Sequence, residues 1–235
     1  MGEHPEAEVR AAFEEFLRVG AYGRERAAWA SLFTEDATYI EHYLGRFHGR
    51  AEIERWITSC MADYPSMTFS VDWWIVEGDR VVFYIWNNLP DPAGGDTPYR
   101  FPNASILHYA GDGTWDYEED EYNPVHAEEV FQAWLAAGGR KHTPPDESLT
   151  GIPDYTPEPV ATVFPREEIE AEFAKYRERA QTAVKTGDWD PWANQFTEDA
   201  RYFEHHYGKF HGREEIRTWI NGVMQPFPTM EFPYE

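Results

Sequence analysis

The sequence contains a single cysteine, Cys60. That excludes a disulfide framework and a thiolate zinc site. Basic residues are scarce: 20 Lys and Arg stand against 43 Asp and Glu, a formal charge of −23. Nucleic acid and anionic membrane surfaces are therefore poor partners. Acidity of this kind favours solubility and says nothing about fold. No apolar run approaches the ~18 residues that a membrane-spanning helix needs. The N-terminal stretch MGEHPEAEVRAAFEEF is acidic and amphipathic, unlike a signal peptide. The expectation is a soluble, cytoplasmic protein. GRFHG and AGDGTW lack both the P-loop lysine and dinucleotide-binding spacing. No nucleophile elbow supports Ser/His/Asp chemistry.

Aromatic residues are abundant, with 10 Trp, 14 Tyr and 15 Phe in 235 residues. They supply a packed core and suit a pocket for a flat organic molecule. The length allows one or two domains. At an offset of 163 the sequence matches itself: residues 33–69 lie over 196–232 without a gap, and 21 of 37 positions are identical. This is a duplication, with a period far too long for a solenoid. Between the copies, 141–165 holds six of the 17 prolines and reads as an extended linker. The expected organisation is a complete domain over 1–140, that linker, and a partial copy over 166–235.

In the first copy, Val9, Phe13, Phe16 and Leu17 predict an amphipathic helix over 6–19. A short helix follows, carrying Trp29, Leu32 and Phe33 and closed by Asp36. ATYIEHY reads as a strand, His48-Gly49-Arg50 as a turn and AEIERWITSCM as a helix. Two hairpins turn at Glu77-Gly78-Asp79 and Gly111-Asp112-Gly113. A helix with Val130, Phe131, Trp134 and Leu135 ends at Gly138-Gly139. The order α-α-β-α-β-β-β-β-α implies an α+β domain with helices on one face of a mainly antiparallel sheet.

This order resembles the nuclear transport factor 2-like superfamily, in particular its SnoaL-like and ketosteroid-isomerase-like branch. The motif residues are Phe33, Asp36, Ala37, Gly45, Gly49, Arg50 and Ile53. They recur as Phe196, Asp199, Ala200, Gly208, Gly212, Arg213 and Ile216. The resemblance implies a cystatin-like α+β barrel: a curved sheet coned around a pocket, with helices on its concave face. It also implies dimerisation through the sheet's outer face, as a homodimer or as an internal pseudo-dimer of the two copies. The superfamily contains isomerases, cyclases, dehydratases, epoxide hydrolases and binding proteins, so the fold alone does not choose an activity.

The resemblance places a carboxylate base three residues before the first turn glycine. Counting back from Gly45 gives His42; counting forward from Asp36 gives Glu41. Adjacent strand residues face opposite ways, and His42 is the expected pocket residue, with Ile40 beside it. A histidine is a suitable general base near neutral pH. SnoaL-like cyclases and limonene-epoxide-hydrolase-like members place an Asp on the last strand, which corresponds to Asp120. Glu118 and Tyr122 then share its face, while Glu119 and Glu121 point to solvent. The five acids also fit a solvated edge strand. Trp86 and Asn88 on the third strand, with Asn103 and Ser105 on the fourth, are candidate substrate contacts. Ser105 and Phe16 stand where the isomerases carry an Asp and a Tyr, which argues against steroid isomerisation. The His and Glu spacings match no compact metal-ligand pattern, so no metal is assigned. The shared Asp, Gly and Arg positions have structural explanations: turn acceptor, positive φ and helix anchor.

Residues 166–235 lack both hairpins, so Ile169, Phe173, Tyr176, Trp192, Phe196, Ile216, Trp219 and Ile220 would have no sheet to cover. Truncation or incomplete duplication explains this better than packing on copy one or on a partner chain. The leading expectation is a cofactor-independent lyase or isomerase of cyclase, dehydratase or isomerase type. It would act on a hydrophobic ring-containing small molecule, with His42 as the base and Asp120 as the acid, or the reverse. The rival is a non-catalytic binding or assembly domain of the same fold.

Overall fold

Val9, Ala12, Phe13 and Phe16 repeat at i, i+3, i+4 and i+7, and all four are buried along one stripe of helix α1 (Glu6–Phe16). A computed structural model describes residues 2–23, 25–145, 164–204 and 206–233. It divides into two units, Met1–Pro159 and Val160–Glu235, each described by itself. Most of the proline-rich segment, 146–163, lies outside the described residues.

In the first unit, α1 gives way at Leu17 to a π-helical turn, Leu17–Ala21, rather than continuing as a regular helix to 19. The turn sets Gly20 against the Trp29 indole, where an added Cβ would lie 2.6 Å from the ring. Helix α2 (Arg26–Ala30) is shorter than expected, and Phe33 opens strand β1 (Phe33–Glu41) instead of ending the helix. The Trp115 amide, donating to the Leu32 carbonyl at 2.9 Å, draws the chain into the sheet there. A register shift between Phe33 and Thr38 leaves Asp36 inside the strand. Strand β2 (Gly45–His48) was not foreseen; it pairs back on β1. Helix α3 (Arg50–Ala62) follows Gly49, whose φ is 81° and whose added Cβ would meet the Glu35 carbonyl at 3.1 Å.

Strands β3 (Thr68–Glu77), β4 (Arg80–Leu89), β5 (Tyr99–Gly111) and β6 (Thr114–Glu121) form the two hairpins. Helix α4 (Pro124–Ala136) starts at Asn123, whose side chain accepts from the Val125 and His126 amides at 2.9 and 3.2 Å. The curved six-stranded sheet has the order β2-β1-β6-β5-β4-β3, and only β1 and β6 run parallel. Its covered face meets α1 and α3 around Phe13, Phe16, Phe83 and Trp115. Helix α4 adds a second cluster, in which Trp134 packs with Met61, Met67 and Leu89.

The second unit holds α5 (Arg166–Thr186), α6 (Asp190–Ala193), β7 (Arg201–Glu204), β8 (Gly208–His211) and α7 (Arg213–Met224). It has its own core of Ala180, Ala183, Trp189, Trp192, Ile216, Ile220 and Met224. That corrects the expectation of a wholly uncovered face: the helices bury Trp192, Ile216 and Ile220 among themselves. Ile169 and Phe173 remain exposed. Among the described residues no helix is long and apolar enough to cross a membrane.

Candidate functional site

Register decides which side chains meet. Parallel pairing of β1 with β6 sets Glu41 opposite Asp120 and Tyr39 opposite Glu118. Antiparallel pairing of β6 with β5 sets Asp120 opposite Ser105 and Glu118 opposite Leu107. Directly paired residues share a face, so Glu41, Asp120 and Ser105 form one row across three strands. That row lies on the covered side of the sheet, and beside it a cavity of about 310 Å³ opens between the sheet, α3 and α4.

Asp120 lies in the cavity wall and is held on both oxygens. Oδ1 accepts from Ser105 Oγ at 2.6 Å and from Asn103 Nδ2 at 3.0 Å. Oδ2 accepts from the Tyr39 hydroxyl at 2.6 Å. Burial raises the Asp120 carboxyl above the usual aspartate range, while the three donors pull it back. Glu118, 2% exposed, lies deeper; burial first, and then the Asp120 charge, push it well above a normal glutamate. Its Oε2 and the Asn103 Oδ1 are buried without a hydrogen-bond partner. Both residues line a smaller inner space of about 60 Å³, large enough for one or two waters.

Glu41 has a different task. Its Oε2 accepts from the Tyr43 amide at 3.0 Å and from the Leu44 amide, closing the β1–β2 turn. The Tyr122 hydroxyl also donates to it. Burial raises Glu41 as well. Cys60 lines the same cavity, and burial pushes its thiol up to about 11. It is therefore a protonated wall residue rather than a nucleophile at neutral pH.

The placement of His42 is a correction. β1 turns Ala37, Tyr39 and Glu41 inward, so His42 emerges on the outer face with Ile40. There its Nε2 meets Glu119 Oε1 at 2.7 Å and Glu121 Oε1 at 2.9 Å. The Glu119 hydrogen bond is the main cause that raises the His42 ring. Glu119 in turn accepts from the Tyr117 hydroxyl. Among the described residues this trio is the group whose donor atoms converge closely enough for a metal ion. His42 Nε2 joins the two carboxylates, and the group stands across the sheet from the cavity.

Trp86 and Asn88 are also corrections. β4 pairs Trp86 with Pro102 and Ile85 with Asn103, so Trp86 and Asn103 face opposite ways. Trp86 lies on the outer face beneath the Arg100 guanidinium, 4.4 Å from the ring centroid. Asn88 Nδ2 is taken up by the Thr68 carbonyl, Ser70 Oγ and the Trp86 carbonyl. Asn87 reaches the cavity instead. Asn103, Asp120 and Tyr122 line the main cavity, and Ser105 and Glu118 line the inner space. Sequence reasoning missed Tyr39, Trp56, Asn87 and the α4 residue Phe131. The Ala37-Tyr39-Glu41 alternation was a signal for Tyr39, masked by the apolar Ile40 between them.

The family model for the SnoaL-like domain matches residues 9–118 and 177–235. No curated protein matches the sequence. Many solved structures are similar at low identity, among them the following three. A protein from Catenulispora acidiphila with a ketosteroid isomerase-like fold, solved with trimethylamine, is 23% identical. It covers 49% of this chain and 85% of its own, with a TM-score of 0.39. An LEH-like epoxide hydrolase from M. tuberculosis is 17% identical over 57% and 93% of the two chains, with a TM-score of 0.45. An NTF2-like protein from Anabaena variabilis is 18% identical over 52% and 94%, with a TM-score of 0.41.

Proposed function

We propose that this chain, which belongs to the SnoaL-like domain family, is an acid/base enzyme of isomerase or lyase type acting on a small ring-containing molecule. The observation that carries this reading is Asp120. It is a buried carboxylate in a cavity wall, fixed by Tyr39, Ser105 and Asn103, with an ionisation raised above that of a free aspartate. A raised, oriented carboxylate is what proton transfer to and from carbon near neutral pH needs. In the proposed step, Asp120 takes a proton from a carbon next to a carbonyl and the substrate becomes its enol or enolate. The same proton then returns to a second carbon, or assists departure of a leaving group. Asn87 Nδ2, in the cavity wall, has a second hydrogen beyond its 3.5 Å contact with the Phe101 carbonyl and is the donor suited to the developing oxygen charge. Glu41 supports the site by holding the turn that carries Tyr43 and Leu44. His42, on the outer face, has no part in it.

Proton exchange tests this without knowledge of the natural substrate. Cyclic ketones are incubated in deuterated buffer, and deuterium uptake next to the carbonyl is followed by NMR. Wild type is expected to accelerate uptake in at least one ring ketone, and Asp120→Asn to lose ~10²–10⁴-fold of that rate. Ketones that bind the cavity yet exchange no faster than in buffer would overturn the reading and leave a binding domain in its place.

A further inference from the structure

We propose that the cavity takes an organic cation: a ring-bearing amine in protonated or quaternary form. This rests on the reading above that the Asp120 cavity is the working site, but not on turnover. The lining carries the argument through the sign of its charges. Three ionisable chains of the usual charged types reach the wall, Glu41, Asp120 and Glu128, and all are acidic. Among the described residues no lysine, arginine or histidine lines it. Arg26 comes near, over the Phe69 ring at 5.8 Å, but its Nη1 donates to the Gly20 and Gly23 carbonyls at 3.3 Å each.

The remaining wall is rich in aromatic faces, among them Trp29, Trp56, Tyr64, Phe101 and Phe131. Tyr39 and Trp56 meet at 4.5 Å between centroids and 53° between planes, and Phe47 stacks on Trp56 at 4.6 Å, so packed aromatic rings back this end of the cavity. Asp120 stands at that end, because the Tyr39 hydroxyl donates to it. An ammonium group beside Asp120 would be enclosed by this aromatic wall, and cation–π attraction acts within ~6 Å of a ring face. It would also face a carboxylate that has hydrogen-bond donors but, among the described residues, no cationic side chain beside it in the cavity wall. A neutral hydrocarbon uses the rings and leaves the carboxylates uncompensated; an anion is repelled by them. The net charge of −23 biases encounter the same way.

The test compares benzyltrimethylammonium with neopentylbenzene, which has the same shape without the charge. Quenching of tryptophan fluorescence reads the affinities on the full chain. Wild type is expected to bind the cation at least tenfold more tightly. Asp120→Asn should remove most of that preference while leaving the neutral compound's affinity unchanged. Trp56→Leu should weaken the cation more than Trp56→Phe, which keeps a π-face and guards against simple misfolding. Equal or tighter binding of the neutral compound, or binding of neither, overturns the proposal. The two readings fail separately. Ketone exchange without cation preference removes this inference alone; cation preference without exchange removes the acid/base reading and leaves a cation-binding domain.

Discussion

The two copies solve the same local problem with the same residues and end in different places. In the first, Arg50 Nε donates to the Phe33 carbonyl at 2.6 Å; in the second, Arg213 Nε donates to the Phe196 carbonyl at 2.6 Å. Gly49 and Gly212 both have φ of 81°, and at each an added Cβ would press on a carbonyl, of Glu35 and of Glu198. Glu41 caps the turn amides of Tyr43 and Leu44, and Glu204 caps those of His206 and Tyr207. The repetition teaches what Glu41 is for. A residue that does the same job beside a cavity and away from one belongs first to the turn. Asp120 is different: its three donors come from β1 and β5, and among the described residues the second unit has no strand corresponding to β5 or β6. The site is what the hairpins add to a motif both copies share.

Substitutions in each core should break that comparison most strongly. Phe16→Ala removes a ring packed against Phe33, Phe83 and Trp115, and Trp192→Ala removes one packed against Tyr176, Trp189 and Phe196. Each is expected to cost its own unit ~3–5 kcal/mol. Hydrogen exchange read separately over 2–140 and 166–233 should show each loss confined to one unit. A loss shared by both would mean that the units fold as one.

A smaller effect is expected at the turns. Glu41→Ala and Glu204→Ala each strip an acceptor from two amides, worth ~1–3 kcal/mol locally. Amide protection should fall at Tyr43 and Leu44 in one variant and at His206 and Tyr207 in the other. Unchanged protection in either would remove the shared turn role.

Stability against pH sharpens the contrast further. A carboxyl raised in the folded state leaves the protein most stable below its unfolded value, about 3.9 for Asp. That advantage is lost as pH rises through the folded value, because ionisation then costs more in the folded chain. Asp120, raised by burial, follows this sign. Asp120→Asn should therefore gain stability over wild type in neutral solution and lose the gain at pH 3, as followed by denaturant midpoints. A gain that persists unchanged at pH 3 would contradict the raised ionisation. The smallest effect is expected at His42. Its ring is raised by Glu119, so its contribution is present below about pH 6.5 and fades as pH climbs past the folded value. Exposed pairs of this kind are worth ~0.2–1 kcal/mol, and His42→Gln should change stability by no more.

Much of this was legible in the sequence. The self-match exposed the duplication, and the hairpin turns at Gly78 and Gly111-Asp112-Gly113 fixed four strands. Glu118 and Asp120 lie on the face that alternation assigns them. What escaped was short-range geometry without a periodic signature. The four-residue strand β2 is too brief to alternate visibly. The choice between Glu41 and His42 depended on whether Ile40 or Tyr39 faces the core. An apolar Ile points one way by hydropathy, but the Tyr39 hydroxyl finds Asp120 and wins the interior. Trp86 and Asn88 went astray because the β4–β5 connection, with Pro90, Pro92, Gly94 and Gly95, hides the register between strands.

The most direct test of the central claim sets Asp120→Asn beside Glu41→Gln in the ketone exchange reaction. The account predicts a loss of ~10²–10⁴-fold for Asp120→Asn. It predicts that Glu41→Gln, which keeps an oxygen for the turn amides, stays within about tenfold of wild type. Full exchange activity in Asp120→Asn would contradict the assignment of the site to this carboxylate.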